Sequence, residues 1–109
     1  MIKDLIHGIA EEMGKEKHVP HIQKIDDKTV KVSCGKDVMH PSLENHYIGW
    51  MKLYGIDKDG KLKELGSYSP APVFAQPVAV FSVDVTQYKS LMALIWCNIH
   101  GFWENTLNL

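Results

Sequence analysis

The sequence contains only two cysteines, Cys34 and Cys97, among its 109 residues. This low number excludes the disulfide-rich scaffolds of small secreted proteins. No segment resembles a signal peptide, with a charged start, an apolar stretch and a cleavage site. We therefore expect a cytoplasmic protein in a reducing environment, where two thiols far apart in sequence are free or metal-bound rather than paired.

The sequence also lacks an excess of either charge. Twelve basic and thirteen acidic residues give a net charge of −1, and the basic residues are scattered along the chain. This balance gives no electrostatic reason to expect a nucleic acid partner. No apolar stretch is long enough to span a bilayer, so we expect no membrane association either. The length fits one compact domain covering residues 1–109.

The chain is instead rich in short runs of Val, Ile, Tyr and Phe, separated by turn-forming clusters at residues 26–28 and 57–60. Seven short strands are typical of a β-sandwich, and we predict an all-β fold of that kind. The run 91–96 is apolar on both faces, which predicts a central strand. The predicted strands cover residues 18–25, 29–34, 46–57, 62–68, 77–85, 88–97 and 101–107.

The N-terminal segment follows a different pattern. Apolar residues at Leu5, Ile9 and Met13 predict a short amphipathic helical turn that ends near Gly14. His7 lies in this turn without a recognisable partner, and we predict that it is a surface side chain.

Six histidines is a high number for this length, and five of them fall in three short contexts. Cys97 and His100 follow the most apolar strand, and a tight turn at Gly101 would bring both to one metal. His40 and His46 are about 20 Å apart if the segment between them is extended, but Pro41 favours a loop that folds back. His18 and His21 point to opposite faces of a strand, so at most one of them reaches a shared metal.

Three segments carry a resemblance to a known family: residues 16–20 (EKHVP), residues 40–50 with HP at the start and HYIGW at the end, and residues 97–103 (CNIHGFW). In this order they resemble the signature segments of superoxide reductases, the family that includes neelaredoxin and the iron domain of desulfoferrodoxin. Longer members carry a further domain with a four-cysteine iron. Since Cys97 is accompanied only by Cys34, the chain resembles the short form with a single iron.

The resemblance implies an immunoglobulin-like sandwich that holds one mononuclear non-haem iron, cycling between Fe2+ and Fe3+, and reduces superoxide to hydrogen peroxide. It implies a square-pyramidal centre in which Cys97 is the axial ligand, and His21 is not a ligand. The implied equatorial ligands are His18, His40, His46 and His100.

The same resemblance assigns two further residues and two partners. Glu16 matches a glutamate that occupies the sixth position of the ferric iron, and Lys17 matches a lysine beside the substrate. Rubredoxin is the implied electron donor, and a homo-oligomer, a tetramer, is the implied assembly. We also expect backbone N–H groups near Asn98 and Ile99 to donate to the Cys97 sulfur.

Three alternatives are weighed against this interpretation. A blue-copper electron carrier is also a β-sandwich with His and Cys ligands, but no methionine follows Cys97 to serve as its weak axial ligand. A closed structural zinc site takes four ligands rather than five. Dismutation at the same iron site is the third alternative, and the sequence leaves it open.

Overall fold

In the computed structural model, residues 1–8 and 17–109 are described, and these residues form eight strands in two sheets. The larger sheet has the order β1-β8-β7-β4-β5, and the smaller has the order β2-β3-β6. The predicted β-sandwich is therefore confirmed, and the seven predicted strands correspond to β2 to β8. The strands are β1 (Ile6–His7), β2 (Pro20–Asp26), β3 (Thr29–Cys34), β4 (Ile48–Asp57), β5 (Leu62–Tyr68), β6 (Val78–Ser82), β7 (Tyr88–Cys97) and β8 (Gly101–Asn108).

The N-terminal prediction is only partly correct. A 3-10 helix covers Ile2–Leu5, but Ile6–His7 form a strand that pairs in parallel with Phe102 and Trp103 of β8. Pairing with an existing sheet edge overrides the helical pattern at this point, because local propensity is weak against tertiary contacts. The remainder of the predicted turn, residues 9–14, lies outside the described residues.

The core lies between the two sheets and is built from alternating side chains. In β7, which is the central strand as predicted, Leu91, Ala93, Ile95 and Cys97 are completely buried. The two-residue period of a strand points these four side chains to one face. Burying each large aliphatic side chain stabilises the fold by about 1.5–3 kcal/mol.

The strand directions gather five strand ends at one end of the sandwich. Because β3, β4 and β7 are paired in antiparallel fashion with their neighbours, the starts of β2, β4 and β8 lie beside the ends of β3 and β7. All the histidines of the three signature segments lie at this end, which we call the histidine end. None of the helices in the described part of the chain has the length and apolar character needed to cross a bilayer.

Candidate metal centre

Four side chains at the histidine end form a compact cluster. The ligand atoms of His18, His46, Cys97 and His100 all lie within 4.8 Å of one another. His40 lies against this group, with its Nε2 atom 3.5 Å from the Cys97 sulfur. Its ring centroid is 4.8 Å from that of His18 and 4.6 Å from that of His46. The fold thus brings together the five residues that the resemblance implies as ligands.

A tight turn between β7 and β8 brings Cys97 and His100 together. Gly101 pairs with Cys97 across the turn and adopts a φ of 81°, in the left-handed region that favours glycine. The His100 N–H group donates to the Cys97 sulfur at 3.4 Å, and His100 Nδ1 lies 3.8 Å from the same sulfur. The turn therefore aims the Nδ1 atom of this histidine at the cluster.

The segment from His40 to His46 folds back on itself, as the sequence predicts. Leu43 and His46 form an isolated antiparallel bridge, with N–H groups donating to carbonyls at 2.9 Å and 3.3 Å. At the other end of the loop, the His40 N–H group donates to the Cys34 carbonyl at 2.9 Å. These backbone bonds hold the two imidazoles close without any regular strand between them.

Hydrogen bonds from the buried Cys34 thiol hold the backbone at His18. The Cys34 thiol donates to the carbonyl oxygens of Lys17 at 3.4 Å and His18 at 3.1 Å. The His18 ring is buried, and its Nε2 atom lies 3.0 Å from Nδ1 of His100. Cys34 is the last residue of β3 and is completely buried.

The pKa values of two of the imidazoles are lowered. Desolvation is the largest cause for His40, whose pKa falls to about 4; the hydrogen bond with the Pro41 carbonyl opposes this shift, and the charges of His18, His46 and Lys17 add to it. Burial also lowers the pKa of His46, together with the charges of His100 and Lys17. A histidine must be deprotonated to bind a metal, so these shifts favour metal binding at neutral pH.

The hydrogen bonds within the cluster fit a metal. His40 Nδ1 lies 2.8 Å from the Pro41 carbonyl, so this nitrogen carries the proton and Nε2 presents a lone pair toward the sulfur. His46 Nε2 is the only buried side-chain nitrogen or oxygen without a hydrogen-bond partner among the described residues. A buried nitrogen of this kind normally needs a partner, and a metal ion would supply it.

The expected backbone donor to the Cys97 sulfur is present one residue after Ile99, whereas Asn98 itself has other partners. The Asn98 N–H group donates to the Tyr47 carbonyl at 3.2 Å, because the Asn98 side chain also binds the Tyr47 N–H group and the Asn45 carbonyl. Asn98 therefore joins the two ligand-bearing loops instead of contacting the sulfur. The observed donor to the sulfur is the N–H group of His100.

The remaining candidate residues lie beside the cluster, away from it or outside the described residues. Lys17 is half-buried beside His18, and its charge acts on both His40 and His46. Glu16 lies outside the described residues. His21 lies in β2 opposite Ser33, and it is not a member of the cluster formed by the described residues.

The prediction for His7 is wrong. This residue is half-buried, and its ring centroid lies 4.8 Å from that of Trp103. Trp103 in turn stacks on His18 and donates from its indole nitrogen to the His100 carbonyl. No sequence pattern identifies this contact, since a tryptophan near the start of a strand gives no sign of which ring it faces.

The fold is a β-sandwich with a mixed histidine and cysteine cluster that is compatible with a bound metal, and comparisons identify its relatives. The family model for desulfoferrodoxin matches residues 10–106. A superoxide reductase from Pyrococcus abyssi is 37% identical over all of this chain and 99% of the relative. The chain therefore belongs to the desulfoferrodoxin family of superoxide reductases.

Solved structures agree with this membership. A superoxide reductase (1Fe-SOR) from Giardia intestinalis is 46% identical, with 87% of this chain and 100% of that chain covered and a TM-score of 0.80. A superoxide reductase (neelaredoxin) from Ignicoccus hospitalis is 26% identical, with 100% and 97% covered and a TM-score of 0.84. The blue-copper alternative is not favoured by these matches.

Proposed function

We propose that the chain is an oxidoreductase that reduces superoxide by one electron, releasing hydrogen peroxide after the uptake of two protons. The observation that carries this proposal is the convergence of four imidazoles and one thiol at one end of a sandwich of this family. The orphaned His46 Nε2 atom within that group supports a metal rather than a purely structural cluster.

The five clustered residues are the proposed ligands of a single mononuclear non-haem iron. His40 Nε2 and His100 Nδ1 face the Cys97 sulfur, and His18 Nε2 and the buried His46 Nε2 complete the set. These five residues would hold a ferrous ion, which would supply the single electron and could accept a small ligand beside them. Five donors exceed the four of a closed structural zinc site.

Lys17 is the proposed substrate-attracting residue. Superoxide is an anion, and the charge of Lys17 lies close enough to lower the pKa of both His40 and His46. A cation at the edge of the site attracts the anion and orders a water molecule that provides a proton to the reduced oxygen. Glu16, its neighbour in sequence, is the proposed ligand of the ferric state and thereby controls the resting form.

The electron has to come from another protein, and rubredoxin is the proposed donor. Exposed apolar side chains on three loops at the histidine end favour a transient protein contact there: Leu43, Phe74 and Ile99. Phe74 is 91% exposed and lines a shallow groove with Tyr47 and Val73. A Phe74→Ala variant should slow reduction by rubredoxin, while Val80→Ala, which removes an exposed apolar side chain from β6, should not.

The remaining parts of the proposal concern the whole molecule. We propose that residues 1–109 work as one iron-binding domain, that the protein is cytoplasmic, and that it assembles as a homotetramer. An assembly of this kind would cover exposed apolar residues near the N-terminus, such as Ile2 and Leu5. Light scattering coupled to size exclusion tests the tetramer, and a monomer at all concentrations would contradict it.

Metal analysis and a visible spectrum test the centre itself. We expect one iron per chain and a blue ferric colour that bleaches with ascorbate. Stoichiometric copper, or a colourless zinc protein that cannot be reconstituted with ferrous iron, would contradict the proposal.

The products distinguish reduction from dismutation. A reductase yields one hydrogen peroxide for each superoxide consumed and no oxygen, whereas dismutation yields half of each. Rapid mixing of the ferrous protein with superoxide, followed by both assays, measures this ratio. Oxygen release in the dismutase proportion would overturn the assignment as a reductase.

A further inference from the structure

Trp103 lies beside the candidate metal centre and contacts two of the proposed ligands. It lies in β8, and its core-facing side chain is only 7% exposed, in register with Ile95 of β7 and His7 of β1. The neighbouring row of the same sheet, which contains Trp50, Trp96 and Phe102, is half-buried and faces the other way. Trp103 is thus the tryptophan whose ring enters the space beside the cluster.

The face of the indole contacts one proposed ligand. The centroids of the Trp103 and His18 rings are 4.9 Å apart, and their planes differ by only 17°. A stacked neighbour restricts rotation of the imidazole about its χ2 angle, because a tilted ring would collide with the indole. The orientation of the His18 Nε2 atom therefore depends on this stack.

The edge of the indole contacts a second proposed ligand. The Nε1–H group of Trp103 donates to the carbonyl oxygen of His100 at 3.1 Å. This carbonyl belongs to the tight turn that directs His100 Nδ1 toward the sulfur of Cys97. The same side chain thus contacts two residues that are 82 positions apart in sequence.

His7 also contacts the indole. The His7 ring centroid is 4.8 Å from the Trp103 ring, with a tilt of 42°, and the two residues are register partners in the parallel pairing of β1 with β8. Two imidazoles, one from the N-terminal strand and one from the cluster, thus pack against the same indole. Contact with His7 adds to the packing that restricts the indole.

We propose that Trp103 is a positioning residue of the metal centre: its ring face sets the plane of His18 and its N–H group sets the turn at His100, with His7 holding it in place. The inference rests on the metal site of the proposed function and not on the reaction with superoxide. Residues that orient metal ligands without binding the metal typically change metal affinity by about 10–100-fold when they are altered.

Two substitutions separate the two contacts. Trp103→Phe keeps an aromatic face for His18 but removes the N–H donor, whereas Trp103→Leu removes both. Trp50→Phe is the matched control, because it makes the same chemical change on the outer face of the sheet, where Trp50 packs against Phe102 at 5.9 Å. His7→Ala tests the contact of His7 with the indole.

The experiment is a titration of each metal-free protein with Co2+, followed by visible and near-ultraviolet absorption. We expect Trp103→Phe to bind Co2+ about 10-fold more weakly and Trp103→Leu about 100-fold more weakly. Both should shift the ligand-field bands, which report the ligand directions and not merely stability. His7→Ala should have a smaller effect in the same direction, and Trp50→Phe should remain within about twofold of the unaltered protein.

Thermal unfolding of each metal-free variant shows whether it is folded at the titration temperature. If Trp103→Leu fails to fold, Trp103→Phe alone decides, because it loses only the hydrogen bond and the larger ring. Affinity and bands unchanged in the folded Trp103 variants would overturn the inference, as would an equal loss in Trp50→Phe. A protein that binds metal in this Trp103-dependent way but does not react with superoxide would instead end the proposed function and leave this inference standing.

Discussion

The two ends of the sandwich differ in how their loops are held in place. At the end away from the histidines, which we call the aspartate end, each turn is closed by a carboxylate that binds backbone only two to four residues away. Asp57 Oδ1 accepts from the N–H groups of Asp59 and Lys61, both at 2.9 Å. Asp26 accepts from the Lys28 N–H group at 2.8 Å in the same way.

The histidine end depends on partners from distant parts of the chain. His18 meets His100, 82 positions later, and His40 meets Cys97, 57 positions later. At the aspartate end the turn carboxylates bind neighbouring backbone N–H groups, and Asp84 also pairs with Lys28. At the histidine end a buried imidazole nitrogen of His46 has no partner among the described residues. The comparison indicates that one end closes the fold and that the other is held open for a ligand.

The largest effect is expected from removal of the thiolate at the histidine end. In Cys97→Ser the band that arises from charge transfer between sulfur and ferric iron should disappear completely, because the hydroxyl oxygen cannot supply that transition. Cys34→Ser is the matched control, since Cys34 donates to backbone carbonyls, and it should keep the band. A visible spectrum of the oxidised proteins decides, and a band that survives in Cys97→Ser would show that Cys97 is not the sulfur ligand.

Removing a lysine charge should slow the reaction with superoxide only when the lysine lies at the histidine end. Lys17→Ala should retain iron but react with superoxide about 10-fold more slowly at low salt, because the local attraction of the anion is lost. The difference should shrink as ionic strength rises.

Lys63→Ala is the control for this charge effect, since Lys63 pairs with Asp57 at 3.5 Å at the aspartate end. Rapid mixing over a range of salt concentrations measures both variants. Equal rates for the two would remove Lys17 from the reaction.

A smaller effect is expected from the asparagine that joins the two ligand loops. Asn98→Ala leaves the Tyr47 N–H group and the Asn45 carbonyl without their partner. This should lower the free energy of unfolding of the metal-free protein by about 1 kcal/mol. Urea denaturation measures the change, and Asn108→Ala, at an exposed position of the aspartate end, should change the value by less than about 0.5 kcal/mol.

The smallest expected effect is a pH dependence of the free energy of unfolding, which arises from Asp84 at the aspartate end. Hydrogen bonds from the Thr86 side chain and from Lys28 lower the pKa of Asp84 to about 2. The unfolded carboxyl titrates near pH 3.9, so the stabilisation is complete above about pH 4 and is lost as the pH falls toward 2. The stability difference between the unaltered protein and Asp84→Asn should therefore shrink over that range, and denaturation at several pH values measures it. A difference that stays constant from pH 5 to pH 2 would contradict this cause.

The same contrast explains which parts were predictable from sequence. The predicted ranges 29–34, 62–68 and 88–97 coincide with β3, β5 and β7, because alternating apolar residues and local turns determine them. Strand β1 was missed, since two residues acquire strand geometry only by pairing with β8. The predicted strand 77–85 ends earlier, at Ser82, because the Asp84 side chain caps a 3-10 helix at Val85–Gln87.

The candidate centre was predictable as a set of residues but not as a structure. Spacing alone left His18 and His21 as alternatives, and only the resemblance to a family chose between them. The contacts that position the ligands, from Cys34, Asn98 and Trp103, join distant segments and have no local pattern. They follow from the packing of two sheets and therefore appear only once the chain is folded.

The burial of the Cys97 sulfur affects how well the protein resists oxidation. Cys97 is completely buried, whereas His100 is on the exposed side of the cluster. Hydrogen peroxide, the proposed product, oxidises accessible thiolates to sulfenic and then irreversible acids. Because the cluster is exposed at His100 and buried at Cys97, peroxide in solution would meet an imidazole before the sulfur. The burial of a single side chain would thus protect the protein from its own product over many turnovers.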